Sequence, residues 1–116
     1  MLARTIPAQN MRFKVGWIIL LITAALMAFM HFGLLFVLDE PVLFTGFTAF
    51  NLYALLVILI PFRRGEKWAW FATWILPLGL ALPASTDANI AILYYGFAAA
   101  CVLGLLLTMR DFFSKD

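Results

Sequence analysis

The sequence predicts an all-α membrane protein: an up-down-up-down bundle of four transmembrane helices in a single domain, residues 1–116, with both termini cytoplasmic. Three observations predict it. First, 66% of the residues are apolar and 12% are charged, about half the charged share of an ordinary soluble domain. A soluble chain of this size buries only about 60–70% of its unfolded surface, so the apolar excess must face lipid. Second, the charges are confined to short patches. Between them lie four uncharged runs, Val15 to Leu38, Pro41 to Phe62, Trp68 to Thr86 and Ala88 to Met109. Each is roughly 20 residues long, the length that crosses a bilayer. Third, all 8 Lys and Arg residues fall before the first run, between the second and third, or after the fourth.

That third observation sets the orientation. Arg4, Arg12 and Lys14 precede the first helix, Arg63, Arg64 and Lys67 lie in the central loop, and Arg110 and Lys115 follow the last helix. The other two turns carry only Asp39, Glu40 and Asp87. Basic residues mark cytoplasmic loops when loops are this short. Trp17, Trp68 and Trp70 beside the basic patches suit the headgroup depth that amphipathic rings prefer.

The helices are expected at about 15–38, 42–62, 67–85 and 88–109. The first is longer than a secretory h-region and is followed by no small-x-small cleavage site ahead of a soluble domain, so it is read as retained. Pro41 opens the second helix, where its missing N–H costs little, and Pro61 lies near that helix's end. Gly65 suits a tight turn, and Glu66 falls in the first turn of the third helix, where the dipole favours it. Pro77, two residues before Gly79, sits mid-membrane and reads either as a hinge or as a static kink absorbed by neighbouring helices. The fourth helix carries Gly96, Ala100 and Gly104 at four-residue spacing, a stripe that lets another helix approach closely. The partner is either a helix of the same bundle or a second copy. Cys101 stands alone, which rules out an internal disulfide, and reads as a small core residue.

Polar groups inside a membrane are costly, so each is a candidate for function. They are His31 on the first helix, Thr48 and Asn51 on the second, Thr73 on the third, and Tyr94, Tyr95 and Cys101 on the fourth. At about 1.5 Å rise per residue, His31, Thr48 and the two tyrosines share a layer in the outer half, with Asn51 near the centre. His31 shares a stripe with Ala24 and Ala28, and Thr48 one with Asn51, by three- and four-residue spacing. His31, Thr48, Asn51, Tyr94 and Tyr95 are therefore the candidate ligand-binding residues, with a hydrogen bond expected from His31 to a tyrosine or to Thr48. The structural alternative is a set of interhelical cross-links worth about 0.6 kcal/mol each.

Arg63, Arg64, Lys67 and Trp68 are the candidates for lipid headgroups, since basic residues beside a membrane attract anionic lipid. The alternative is a turn that fixes topology and nothing more. The stretch Arg63-Arg64-Gly65-Glu66-Lys67-Trp68-Ala69-Trp70 between two apolar helices resembles a loop of small, functionally uncharacterised bacterial four-helix membrane proteins. That resemblance implies a bacterial inner membrane and supplies no catalytic residue.

Several chemistries lack their residues. No Asp, Glu, Lys or Arg interrupts the four runs, whereas small multidrug transporters carry a glutamate in the first helix and sterol-isomerase-like bundles use embedded acids. One cysteine is too few for quinone-linked disulfide formation, and one histidine too few for di-haem ligation or a metal site. No cofactor, metal or nucleic-acid partner is expected. The expected function is non-catalytic: binding a lipid or hydrophobic molecule, or serving as an accessory subunit of a membrane complex. The alternatives are a homodimeric transporter or channel with Pro77 as hinge and His31 titrating, and an enzyme acting on a lipid-like substrate through His31.

Overall fold

The computed structural model describes residues 11–113, so Arg4 and Lys115 of the charge pattern lie outside the described residues. Every element in that range is helical: α1 (Met11–Val37), α2 (Pro41–Val57) continuing as a π-helical turn (Ile58–Phe62), α3 (Lys67–Thr73), α4 (Ile75–Ala84) and α5 (Ala88–Phe113). The α1 helix begins before Val15 and α5 runs past Met109. Hydropathy marks the stretch that suits lipid, while backbone hydrogen bonding carries a helix on through polar flanks.

Local chemistry explains the breaks. Glu40 precedes Pro41 and is pushed out of the helical region (φ −143°, ψ 68°), which ends one helix and opens the next. Gly65 has φ 80°; its N–H donates to the Phe62 carbonyl at 3.0 Å and the Glu66 N–H to the Pro61 carbonyl at 3.1 Å. This is a Schellman ending, which needs a left-handed residue at that position. Asp87 Oδ1 accepts from the Asn89 N–H at 2.9 Å and caps the start of α5.

The third apolar run is not one continuous helix. It is interrupted at Trp74, between α3 and α4. Pro77 has no N–H to give the Thr73 carbonyl, and its ring crowds that carbonyl, so the break falls three to four residues before it. Three helices are individually long and apolar enough to cross a membrane, Met11–Val37, Pro41–Phe62 and Ala88–Phe113; neither α3 nor α4 alone is.

The helices pack with α1 between α2 and α5, and with α4 against the far side of α5. Contacting residues run in opposite directions along α1–α2 and α1–α5: Trp17 meets Ile58 while His31 meets Asn51, and Phe13 meets Phe112 while His31 meets Tyr94. At the end carrying Arg63 and Lys67, Phe13, Phe62 and Phe112 form a ring cluster with centroids 4.8–5.8 Å apart. Leu20, Met27, Ile58, Leu76, Cys101 and Leu105 fill the middle. The outside is greasy: Phe29, Val42 and Ile92 are 79%, 86% and 89% exposed. So much exposed apolar surface around three spanning helices makes this a membrane protein.

Candidate functional site

The site grows from three buried side chains on three helices. His31 projects from α1, Asn51 from α2 and Tyr94 from α5, and they are 3%, 1% and 6% exposed. Asn51 Nδ2 donates to the Phe47 carbonyl at 2.8 Å and to His31 Nδ1 at 2.9 Å. His31 Nε2 lies 2.7 Å from Tyr94 Oη.

These contacts decide the protons. Flipping the Asn51 amide would set its oxygen against the Phe47 carbonyl oxygen, two acceptors facing each other, so the nitrogen belongs where it is. Both of its hydrogens are then used. His31 Nδ1 must accept, which makes the ring neutral with its hydrogen on Nε2, and that N–H donates to Tyr94 Oη. Two capacities are left over. Asn51 Oδ1 is buried with no hydrogen-bond partner, and the Tyr94 hydroxyl keeps its own hydrogen to donate. An unmatched buried acceptor of this kind costs about 1–3 kcal/mol.

The triad borders a pocket lined by His31, Phe47, Phe50, Asn51, Gly79, Leu80, Pro83 and Tyr94. Its unfilled space is about 240 Å³, the open mouth included. Phe44 and Phe47 flank the imidazole with ring centroids at 6.1 and 4.9 Å.

The remaining candidates are placed differently. Thr48 donates to the Phe44 carbonyl of its own helix at 2.7 Å and takes no part in the triad. Tyr95 is 47% exposed on the outer face of α5. Thr73 donates to the Ala69 carbonyl at 2.7 Å, and Cys101 is fully buried in the core. The α5 stripe splits: Gly104 packs against Gly16 of α1, Ala100 is half-buried, and Gly96 faces open space. Four residues turn a helix by about 40° more than a full revolution, so the stripe turns about 80° over eight residues, and Gly96 falls outside the contact that Gly104 makes with α1.

The headgroup candidates gather around the Gly65 turn. The Arg63 guanidinium lies 5.1 Å from the Trp17 ring centroid and the Lys67 ammonium 5.8 Å from that of Phe113. Arg64 Nη1 is 3.5 Å from Glu66 Oε2, and Trp68 Nε1 donates to Glu66 Oε1 at 2.7 Å. Exposed pairs of this kind add little stability, and Arg63, Arg64 and Lys67 stay exposed. Among the described residues no group of three or more His, Cys, Asp or Glu could hold a metal ion.

Sequence reasoning did not name Phe50, Leu80 or Pro83 as pocket residues. Their apolar types are those of any lipid-facing or core position, so no signal set them apart. Gly79 carried a weak one, its place two residues after Pro77; a Cβ there would come within 2.8 Å of the tip of the Phe50 ring, which would have to shift.

No family model, curated protein or solved structure matches the chain.

Proposed function

We propose that this protein is a four-helix, up-and-down bundle of a bacterial inner membrane that binds a lipid-like molecule in the pocket of His31, Asn51 and Tyr94. The fourth crossing in this reading is α3 and α4 together, one helix kinked at Trp74. The antiparallel pairing of neighbouring helices supports it, as does the placement of basic turns at one end and acidic turns at the other. The basic end then lies in the cytoplasm with both termini. The Arg63–Trp70 loop supports kinship with the small bacterial four-helix proteins it resembles, and its cations and Trp68 would rest among anionic headgroups.

The single observation that carries ligand binding is Asn51 Oδ1. A helix cross-link would be complete once every polar group had a partner. Here the amide is pinned by two hydrogen bonds in the orientation that leaves its oxygen unmatched beside a pocket. Purely structural polar networks gain by being closed.

Native mass spectrometry of the protein extracted in native lipid particles tests the reading. The wild type is expected to carry a non-protein mass that survives gentle activation. Asn51→Leu and His31→Ala, compared at matched helicity and elution volume, are expected to lose it. A wild type free of such a mass, or variants that retain it, would sink the proposal. A stoichiometric protein partner in place of a small molecule would move the assignment to an accessory subunit.

A further inference from the structure

Resting on that reading, we infer that the ligand is an uncharged amphiphile whose head is a single hydroxyl, and that it enters sideways between α2 and α4. The head follows from the two leftover capacities. Asn51 Oδ1 needs a donor and the Tyr94 hydroxyl needs an acceptor. One hydroxyl meets both needs at once. An ether or ester oxygen could take the hydrogen of Tyr94 but would leave Asn51 unmatched.

Charge narrows the class in the same direction. No Lys, Arg, Asp or Glu lines the pocket. A charged head would be buried unpaired, which an apolar interior strongly disfavours.

The route follows from the packing. The helix pairs α1–α2, α1–α5 and α4–α5 pack closely against each other, and α2 with its π turn meets α3 near the basic end. Beyond the break at Trp74 the α2 and α4 backbones scarcely approach each other. What spans that gap is Phe50, whose ring lies against Gly79. Phe47, Phe50, Gly79 and Pro83 are half-buried, while His31, Asn51, Leu80 and Tyr94 are buried. The pocket is thus deep toward α1 and α5 and opens at the α2–α4 side. An alkyl tail would lie there along the Phe50 ring, in the bilayer, with only its head inside.

Photolabelling of the full chain in lipid nanodiscs tests this. The probes share one diazirine-bearing alkyl chain and end in a hydroxyl, a methyl ether, a sulfonate or a trimethylammonium group. The alcohol is expected to label the segments 47–51 and 79–83 roughly tenfold more than the ether, the ratio expected when a site's buried polar group goes unmatched. The two charged probes are expected to label there no more than on the outer face of α5. Asn51→Leu should bring the alcohol down to the ether's level, and Phe50→Ala should shorten the time to half-maximal labelling. Equal labelling by alcohol and ether in the wild type, or preferred labelling by a charged probe, overturns the hydroxyl assignment even where native mass spectrometry finds a bound lipid. Labelling centred on α1 or α5 overturns the route. Absence of any bound native lipid overturns the proposed function itself.

Discussion

Glycine occupies two positions of the α5 stripe, and one added methyl group separates them. A Cβ on Gly104 would fall 2.8 Å from the Gly16 carbonyl oxygen and 2.9 Å from Leu20 Cγ. The first of these neighbours is backbone and cannot step aside without moving α1. Gly104→Ala is therefore expected to destabilise the bundle by about 1–3 kcal/mol, the usual cost of overpacking. A Cβ on Gly96 would meet no other part of the bundle within 4 Å. Gly96→Ala is expected to be neutral or to stabilise by up to about 1 kcal/mol through helix propensity. Unfolding titrations in mixed micelles would measure both. Equal effects of the two changes would mean that α1 and α5 do not touch at Gly16.

The π-helical turn at the end of α2 shows how one helix repairs another. Pro61 has no N–H for the Val57 carbonyl, and a widened turn absorbs the misfit. Trp17 of α1 then reaches across, its Nε1–H donating to the Ile58 carbonyl at 2.7 Å, with the Arg63 guanidinium over the same ring. Trp17→Phe keeps an aromatic ring but removes the donor. It is expected to cost about 1 kcal/mol, the net worth of one such bond, and to speed amide exchange across Ile58–Phe62. Trp68→Phe is the control. Its bond to Glu66 is exposed, so its effect should stay within about 0.5 kcal/mol. A larger loss from Trp68 than from Trp17 would show that the π turn needs no outside support. The break at Trp74 belongs with this pattern, since Pro77 disturbs its own helix and changes which neighbour that helix can touch.

The orientation of the whole bundle is a question of charge, and it can be read from outside. With Cys101 changed to alanine as background, Asp39→Cys and Asp87→Cys are expected to react with an impermeant thiol reagent added to intact cells. Arg64→Cys is expected to react only after lysis. Arg64 suits this better than Gly65, whose φ of 80° strains any side chain. Labelling of Arg64→Cys in intact cells would invert the topology and place the pocket in the cytoplasmic half.

Much of the architecture was legible because its causes are local. Apolar runs of spanning length, and the need of every backbone N–H and C=O for a partner in lipid, made helices the outcome wherever those runs lay. Pro41 and Gly65 placed helix ends for the same reason, since each acts on its own φ or its own missing hydrogen. The third run shows where that reasoning stopped. Hydropathy registers Trp68 to Thr86 as one stretch, and only the backbone registers that Pro77 splits it at Trp74.

The site lay further from the sequence. His31, Asn51 and Tyr94 were visible as polar residues at unusual depth, but so were Thr48 and Tyr95, and nothing local separates them. Adjacent residues on a helix point about 100° apart, so Tyr94 turns inward and Tyr95 outward once α5 has settled against α1 and α4. Asn51 meets the imidazole, and Thr48, three residues earlier, bonds its own backbone instead. Helix rotation is set by close contacts such as Gly16 on Gly104 and Phe50 on Gly79, which join residues far apart in the chain. The sequence by itself determined that this chain is helical and lives in a membrane, because lipid exposure and backbone pairing act within each segment. Tertiary structure alone decided which polar groups meet, which acceptor is left unmatched and where the bundle opens, because those depend on the rotation of each helix against the others.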